Sequence, residues 1–249
     1  MPMKPILLAA AAALAATAGF AAPAAAREVR QAGDLYEFTY VYPPALAAYP
    51  PLRARLDADL ARQLAKLKAD ARAGQAEARA NGFPYRPYAW DQSWQIVTDL
   101  PGWLSLSASY WTFTGGAHGN SWFGAMLYDK RARLPRDPLT LFASKQALSR
   151  AIRAPFCAAL NRQRAQKRGE PVKPGSIALF EDCIDPVGQT ILLGSRGHKG
   201  FDRIGILVAP YEAGPYAEGS YEVTVPVTPA VLGAVRREYR AAFALPKES

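Results

Sequence analysis

Residues 103–113, WLSLSASYWTF, alternate between two kinds of side chain without a break. Leu104, Leu106, Ala108 and Tyr110 fall on one side of an extended chain, and Ser105, Ser107, Ser109 and Trp111 on the other. A period of two that separates apolar from small polar groups belongs to an antiparallel strand with one buried and one solvated face. The residues that follow, TGGAHGN, read as a turn, and residues 121–129 as a returning strand. A long hairpin of this kind obliges the rest of the chain to cover its apolar face.

Candidate covers lie on both sides of it. Residues 33–42 alternate again, with Tyr36, Phe38, Tyr40 and Tyr42 expected inward, and Pro43-Pro44 end that strand. A helix is expected over residues 52–80, where Leu52, Leu56, Leu60, Leu64 and Leu67 form one stripe, with Pro51 in its first turn and Gly82 past its end. Residues 81–88 read as a loop and residues 94–98 as a strand. A second helix is expected over residues 144–168, capped by Ser144 and striped by Leu148, Ile152, Phe156 and Leu160. Pro155 inside it predicts a kink or break. The basic end of this helix, with Arg162, Arg164, Lys167 and Arg168, reads as solvated. Strands follow at residues 190–193, 203–209 and 221–227. A last helix is expected from Thr228, with Leu232, Val235, Tyr239 and Phe243 as its buried stripe. Strands interrupted by helices without βαβ regularity make the class α+β, with mainly antiparallel sheets packed by three principal helices.

The first 26 residues have a basic start at Lys4, an apolar run and an Ala24-Ala25-Ala26 cleavage pattern, which together read as an export signal. No later stretch approaches the ~20 apolar residues of a membrane helix. The mature chain is therefore expected from Arg27, in the periplasm or outside the cell. At about 220 residues it suffices for one large domain or two small ones. Its formal charge falls from +9 to +8 when Lys4 is removed, which favours anionic partners or simply a solvated basic surface. In an exported chain those partners are envelope polymers, and no nucleic acid is expected. The two cysteines, Cys157 and Cys183, are expected to form one disulfide.

Catalytic patterns are sparse. There is no G-x-S-x-G elbow, no H-E-x-x-H and no phosphate-cradling loop. The two histidines, His118 and His198, are far apart in sequence and lack ligand spacing, so neither a metal nor a cofactor is expected. Glu181, Asp182 and Asp185 read as turn caps, and His198 as an exposed loop residue. His118 has two readings: a catalytic or ligand-contacting group at a hairpin tip, or a residue tying a turn in which Gly115, Gly116 and Gly119 supply positive-φ positions.

Two motifs, taken in order, resemble a known family. One is YWTFTGGAHG (residues 110–119), followed by LYDK and LTLF; the other is APYEAGPYAEG (residues 209–219), followed by VTVP. Together they resemble the bacterial extracytoplasmic domain of unknown function 3298 with its associated N-terminal region 4163. The division would fall at residues 27–130 and 131–249. Such domains occur in the outer part of a lysozyme-responsive anti-sigma factor and beside the catalytic domain of a peptidoglycan deacetylase. The resemblance implies an α+β fold in a cell-envelope context. It does not imply deacetylation, whose metal-binding H-x-x-x-H lies in a separate domain and has no counterpart here.

Within the motifs, Gly115, Gly116, Gly119, Gly214, Pro215 and Gly219 are expected to form turns. Tyr110, Trp111, His118, Tyr211 and Tyr216 are candidates for a binding surface, since aromatic rings suit both sugar stacking and interface anchoring. The leading expectation is a non-catalytic envelope-binding module, for peptidoglycan or another anionic ligand. A lysozyme-binding sensor or inhibitor is the first alternative, although two basic proteins repel at long range. An envelope hydrolase using His118 with a carboxylate such as Glu218 is the second, and it requires the two turns to meet.

Overall fold

The computed structural model describes residues 27–173, 175 and 179–246, so the expected export signal and the loop proline Pro174 lie outside the described residues. Two antiparallel units follow one another along the chain. The first is a six-stranded sheet of β1 (Arg27–Ala32), β2 (Tyr36–Tyr42), β3 (Tyr88–Asp99), β4 (Trp103–Phe113), β5 (Asn120–Asp129) and β6 (Leu134–Arg136), in that spatial order. All neighbours are antiparallel except β2 and β3, which run parallel because helix α1 (Pro50–Asn81) carries the chain back between them. Helix α2 (Lys145–Arg168) leads to the second sheet, a meander of β7 (Thr190–Gly194), β8 (Arg203–Val208) and β9 (Tyr221–Pro226). Helix α3 (Pro229–Ala234) ends the regular structure. Among the described residues, no helix is long and apolar enough to cross a membrane.

The alternation fixes which face each strand buries. Phe38, Tyr40 and Tyr42 of β2, Trp94 of β3, Leu104 and Leu106 of β4 and Tyr128 of β5 form one core with Leu52, Leu56 and Leu67 of α1. The second core joins Leu148, Ile152, Phe156 and Leu160 of α2 to Ile204, Ile206, Val208, Val223 and Val225 of the meander. Leu127, on the outer side of β5, belongs to that second core. The Thr190 hydroxyl at the start of β7 also donates to the Phe123 carbonyl at 3.1 Å. The second unit thus docks on the outer face of the first sheet and covers only part of it. Ser105, expected on a solvated side, lies fully buried beneath this contact, whereas Ser109 stays exposed.

Gly82 ends α1 in the left-handed conformation, and Ser144 caps α2 by accepting from Ala147 N–H at 3.0 Å. Cys157 on α2 is bonded to Cys183, with Cα atoms 5.6 Å apart.

Four expectations need correction. β1 is a strand that charge had concealed: REVRQA is an edge, where charged side chains are tolerated because one face and one flank meet water. β3 starts at Tyr88, six residues earlier than expected, because those residues pair with β2 on one side and β4 on the other. Pro155 does not break α2, which runs continuously from Lys145 to Arg168. The last helix is split: Val235 turns extended and bridges Phe142, Ala143 N–H donates to the Ala234 carbonyl, and Arg236 N–H to that of Leu141. These bonds to the loop before α2 replace the helical ones, and a six-residue 3-10 turn (Arg237–Ala242) follows.

Candidate functional site

The turn after β4 and the turn before β9 meet, although they are about ninety residues apart in sequence. The His118 ring stacks on Tyr216 with centroids 4.1 Å apart, and Tyr211 leans on both, 6.3 Å from His118 and 5.5 Å from Tyr216. The Gly119 carbonyl joins the two turns, since it accepts from His118 Nδ1–H at 2.9 Å and from the Tyr216 hydroxyl at 3.2 Å. A carbonyl can only accept, so Nδ1 carries a proton, and the other ring nitrogen, Nε2, lies 3.4 Å from the Tyr211 hydroxyl. His118 therefore ties the turn.

The glycines of these turns serve two different needs. Gly115 and Gly116 sit at the positive φ expected of them, and Gly219, read only as a turn former, does so too. Gly119 does not; it is glycine because a Cβ there would run into the indole of Trp111. Gly214 likewise lies outside the left-handed region, and a Cβ on it would collide with the Glu218 carboxylate and approach the Tyr221 hydroxyl to 3.0 Å. Pro215 precedes the short 3-10 turn that carries Tyr216. Tyr211 adopts φ 71°, a conformation that costs a tyrosine about 1 kcal/mol or more, and it is half exposed.

Between the open part of β3, β4 and β5 and the residue 216–220 turn lies a groove of about 490 Å³. Trp111, Phe123 and Tyr216 supply aromatic walls, Ser109 and Ser121 hydroxyls, and Asp91 and Glu218 carboxylates. The register explains the first group, because Asp91, Trp111 and Ser121 are consecutive cross-strand partners on one face. Tyr110 falls on the opposite alternation. Its ring stacks on Trp122 at 5.2 Å in the α1 core, and burial with the Asp59 charge pushes its hydroxyl up to about 12. Tyr110 still borders the groove, but its ring packs on the α1 side of the sheet. Asp91 was absent from the sequence-based candidates because β3 had been begun three residues beyond it. Burial holds its carboxyl above the ordinary value, with Arg30 opposing and Glu28 reinforcing that shift.

Glu218 and His118, the candidate acid–base pair, are not coupled. Glu218 spends its charge beneath the groove, where it accepts from Arg168 Nε at 2.8 Å and Nη2 at 3.3 Å and from the Tyr221 hydroxyl. Burial alone would raise its pKa, but the Arg168 and Tyr221 hydrogen bonds outweigh that and hold it below the usual carboxylate value. Arg168 also pairs with Glu181 at 2.8 Å. Arg164, one turn earlier, is fully buried and donates to the carbonyls of Ala213 at 2.8 Å and Asp182 at 3.0 Å. The basic end of α2 was expected to be solvated; instead two of its arginines hold the 211–221 segment in place. Asp185 caps a turn at Val187 N–H, as read, whereas Asp182 accepts from Gly175 N–H across the loop and Glu181 is paired with Arg168 instead of capping a turn. His198 is an exposed loop residue. Among the described residues, no group of three or more His, Cys, Asp or Glu is placed to hold a metal ion.

Solved structures repeat this architecture. A crystal structure of a DUF3298 family member from Bacteroides fragilis superposes with a TM-score of 0.52 at 16% identity, over 81% of this chain and 89% of the other. A DUF3298 family protein from Pseudomonas aeruginosa gives 0.50 at 16% identity, over 88% and 94%. The chain has the DUF3298 fold. Residues 29–121 also match the family model described as deacetylase PdaC, a span from β1 into β5 that includes the GGAH turn and His118. No curated protein matches the sequence. The two motifs that suggested this fold are the two turns that meet at the Gly119 carbonyl.

Proposed function

We propose that this protein is an exported, non-catalytic binding module of the cell envelope that holds a glycan, peptidoglycan foremost, in the groove between Trp111 and Tyr216. The observation that supports this most is the groove's build. Trp111 is 38% exposed on a strand otherwise presenting serines, and it faces Tyr216 across a cavity large enough for about two sugar rings. Sugar rings pair apolar faces with equatorial hydroxyls, and an indole flanked by Ser109 and Ser121 offers both kinds of contact. The non-catalytic part is supported by the partners of the two candidate groups: His118 is bound to a carbonyl and stacked, and Glu218 is committed to Arg168.

The test is co-sedimentation of the mature protein with insoluble peptidoglycan across a salt series, beside folded Trp111→Ala and Tyr216→Ala variants. Saturable binding that persists in moderate salt and falls in both variants is the expected result. Binding that disappears with salt and ignores both variants would reduce the interaction to a basic protein on an anionic polymer. No binding at all would overturn the glycan reading and direct the search to envelope proteins, lysozyme-like ones included.

A further inference from the structure

We infer that the groove selects a sugar bearing a free, protonated amine over its acylated form, with Asp91 as the counter-charge; this rests on the glycan reading above. The chain has 30 lysines and arginines against 21 acids, yet no lysine, arginine or histidine lines this groove. Its two charged groups are carboxylates. One of them, Glu218, is neutralised by Arg168 through two hydrogen bonds. The other, Asp91, has no hydrogen bond or ion pair among the described residues. Arg30, the cation whose charge acts on it, lies two strands away in the same cross-strand row, and that guanidinium is held by Glu28 at 2.7 Å. A half-buried, acceptor-only carboxylate without a donor is the feature that a ligand ammonium would complete.

Trp111 strengthens the argument because it is Asp91's direct cross-strand partner. An ammonium placed between them meets a carboxylate on one side and an aromatic ring on the other, the pairing that cation recognition uses. Ser121, the next residue in the row, supplies a hydroxyl for a neighbouring sugar oxygen. An N-acyl group at the same position would bring an uncharged amide to Asp91 and forfeit the charge-assisted hydrogen bond. The groove's charge therefore opposes the net charge of the protein.

The experiment is calorimetric titration with three probes at low ionic strength and a pH where the amine is protonated: a glucosamine oligomer, the N-acetylglucosamine oligomer of the same length, and tri-lysine. The glucosamine oligomer should bind about tenfold more tightly than its acetylated counterpart, the size of one partly desolvated ion pair backed by a cation–π contact. Asp91→Asn, which keeps the groove's shape, should abolish that preference. Trp111→Ala should weaken both oligomers. Equal binding of the two oligomers by the parent protein would overturn the amine inference while leaving the glycan reading intact. Tri-lysine binding as tightly as the glucosamine oligomer would also overturn it, since charge alone would then suffice. Binding of neither oligomer would overturn both.

Discussion

Replacing Glu218 by glutamine leaves Arg168 facing an amide in a place that water barely reaches. Both side chains are 13% exposed, so the guanidinium cannot recover its lost partner from solvent. Glu181 remains as its second carboxylate at 2.8 Å, which limits the damage. Removing one side of a fully buried pair costs about 3–5 kcal/mol, and with Glu181 still present we expect the low end, about 3 kcal/mol. At about 2–4 °C per kcal/mol for a domain of this size, the melting temperature should fall by about 6–12 °C.

The pH dependence gives an independent reading of the same contact. The folded-state pKa of Glu218 is depressed, so its contribution is full above the unfolded carboxyl's value of about 4.3 and is lost as pH falls through the lower folded value. The parent protein should therefore shed stability in acid that Glu218→Gln has already lost, and the two melting curves should converge below about pH 4. Thermal unfolding followed by circular dichroism, from neutral pH into acid and with the disulfide intact, measures both effects. A cycle with Arg168→Met should give a coupling energy of about 2 kcal/mol. Additive single mutants, or a neutral-pH shift below about 2 °C, would refute the account of a buried cluster holding the 211–221 segment.

Two glycine changes separate conformation from space. Gly119→Ala should drive the Trp111 indole from its place, lower stability by about 1–3 kcal/mol and shift the tryptophan emission, whereas Gly115→Ala, strained only by its φ of 92° with open space around it, should cost about 1 kcal/mol without touching that emission. Ser105→Ala should raise stability by up to about 1 kcal/mol in denaturant titration, since its buried hydroxyl has no partner among the described residues. Reducing the Cys157–Cys183 bond, which spans 26 residues, should lower stability by about 3 kcal/mol in the same titration; no change would mean that the segment between them is already restrained when unfolded.

Much of the fold was legible in local pattern. The uninterrupted alternation of residues 103–113 set both ends of β4, and Ser144 with its apolar stripe set the start and buried face of α2. Charge obscured the rest. The stripe of α2 continues at the same spacing of four from Leu160 to Arg164 and Arg168, so the register itself pointed both arginines at the second core. Reading them as an ordinary basic helix end hid the cluster that positions the groove. Asp91 was hidden in a similar way, because DQS near the start of β3 lacks the apolar alternation of an outer strand, and only pairing with β4 places it opposite Trp111. The meeting of His118 with Tyr211, 93 residues later, has no local signal at all. Both turns were recognised singly, and their contact is a property of how the second sheet docks on the first.

That docking gives the groove its physical character. One wall belongs to β3, β4 and β5 of the first sheet and the other to the turn before β9, so any ligand filling it touches both units. The Tyr216–Gly119 hydrogen bond and the His118 stack already join them at one end, and the Arg168–Glu218 pair fixes the far wall from below. Binding energy would therefore act on the junction as well as on the groove, and a ligand at a hundred times its dissociation constant would add about 2.7 kcal/mol to the stability of the docked form. A change that loosens the far wall, such as Gly214→Ala against Glu218, should weaken binding without altering a single atom that the ligand touches on the first sheet. The two motifs that mark this chain are then better understood as one structure, a clasp between two sheets whose open side is the groove proposed to bind.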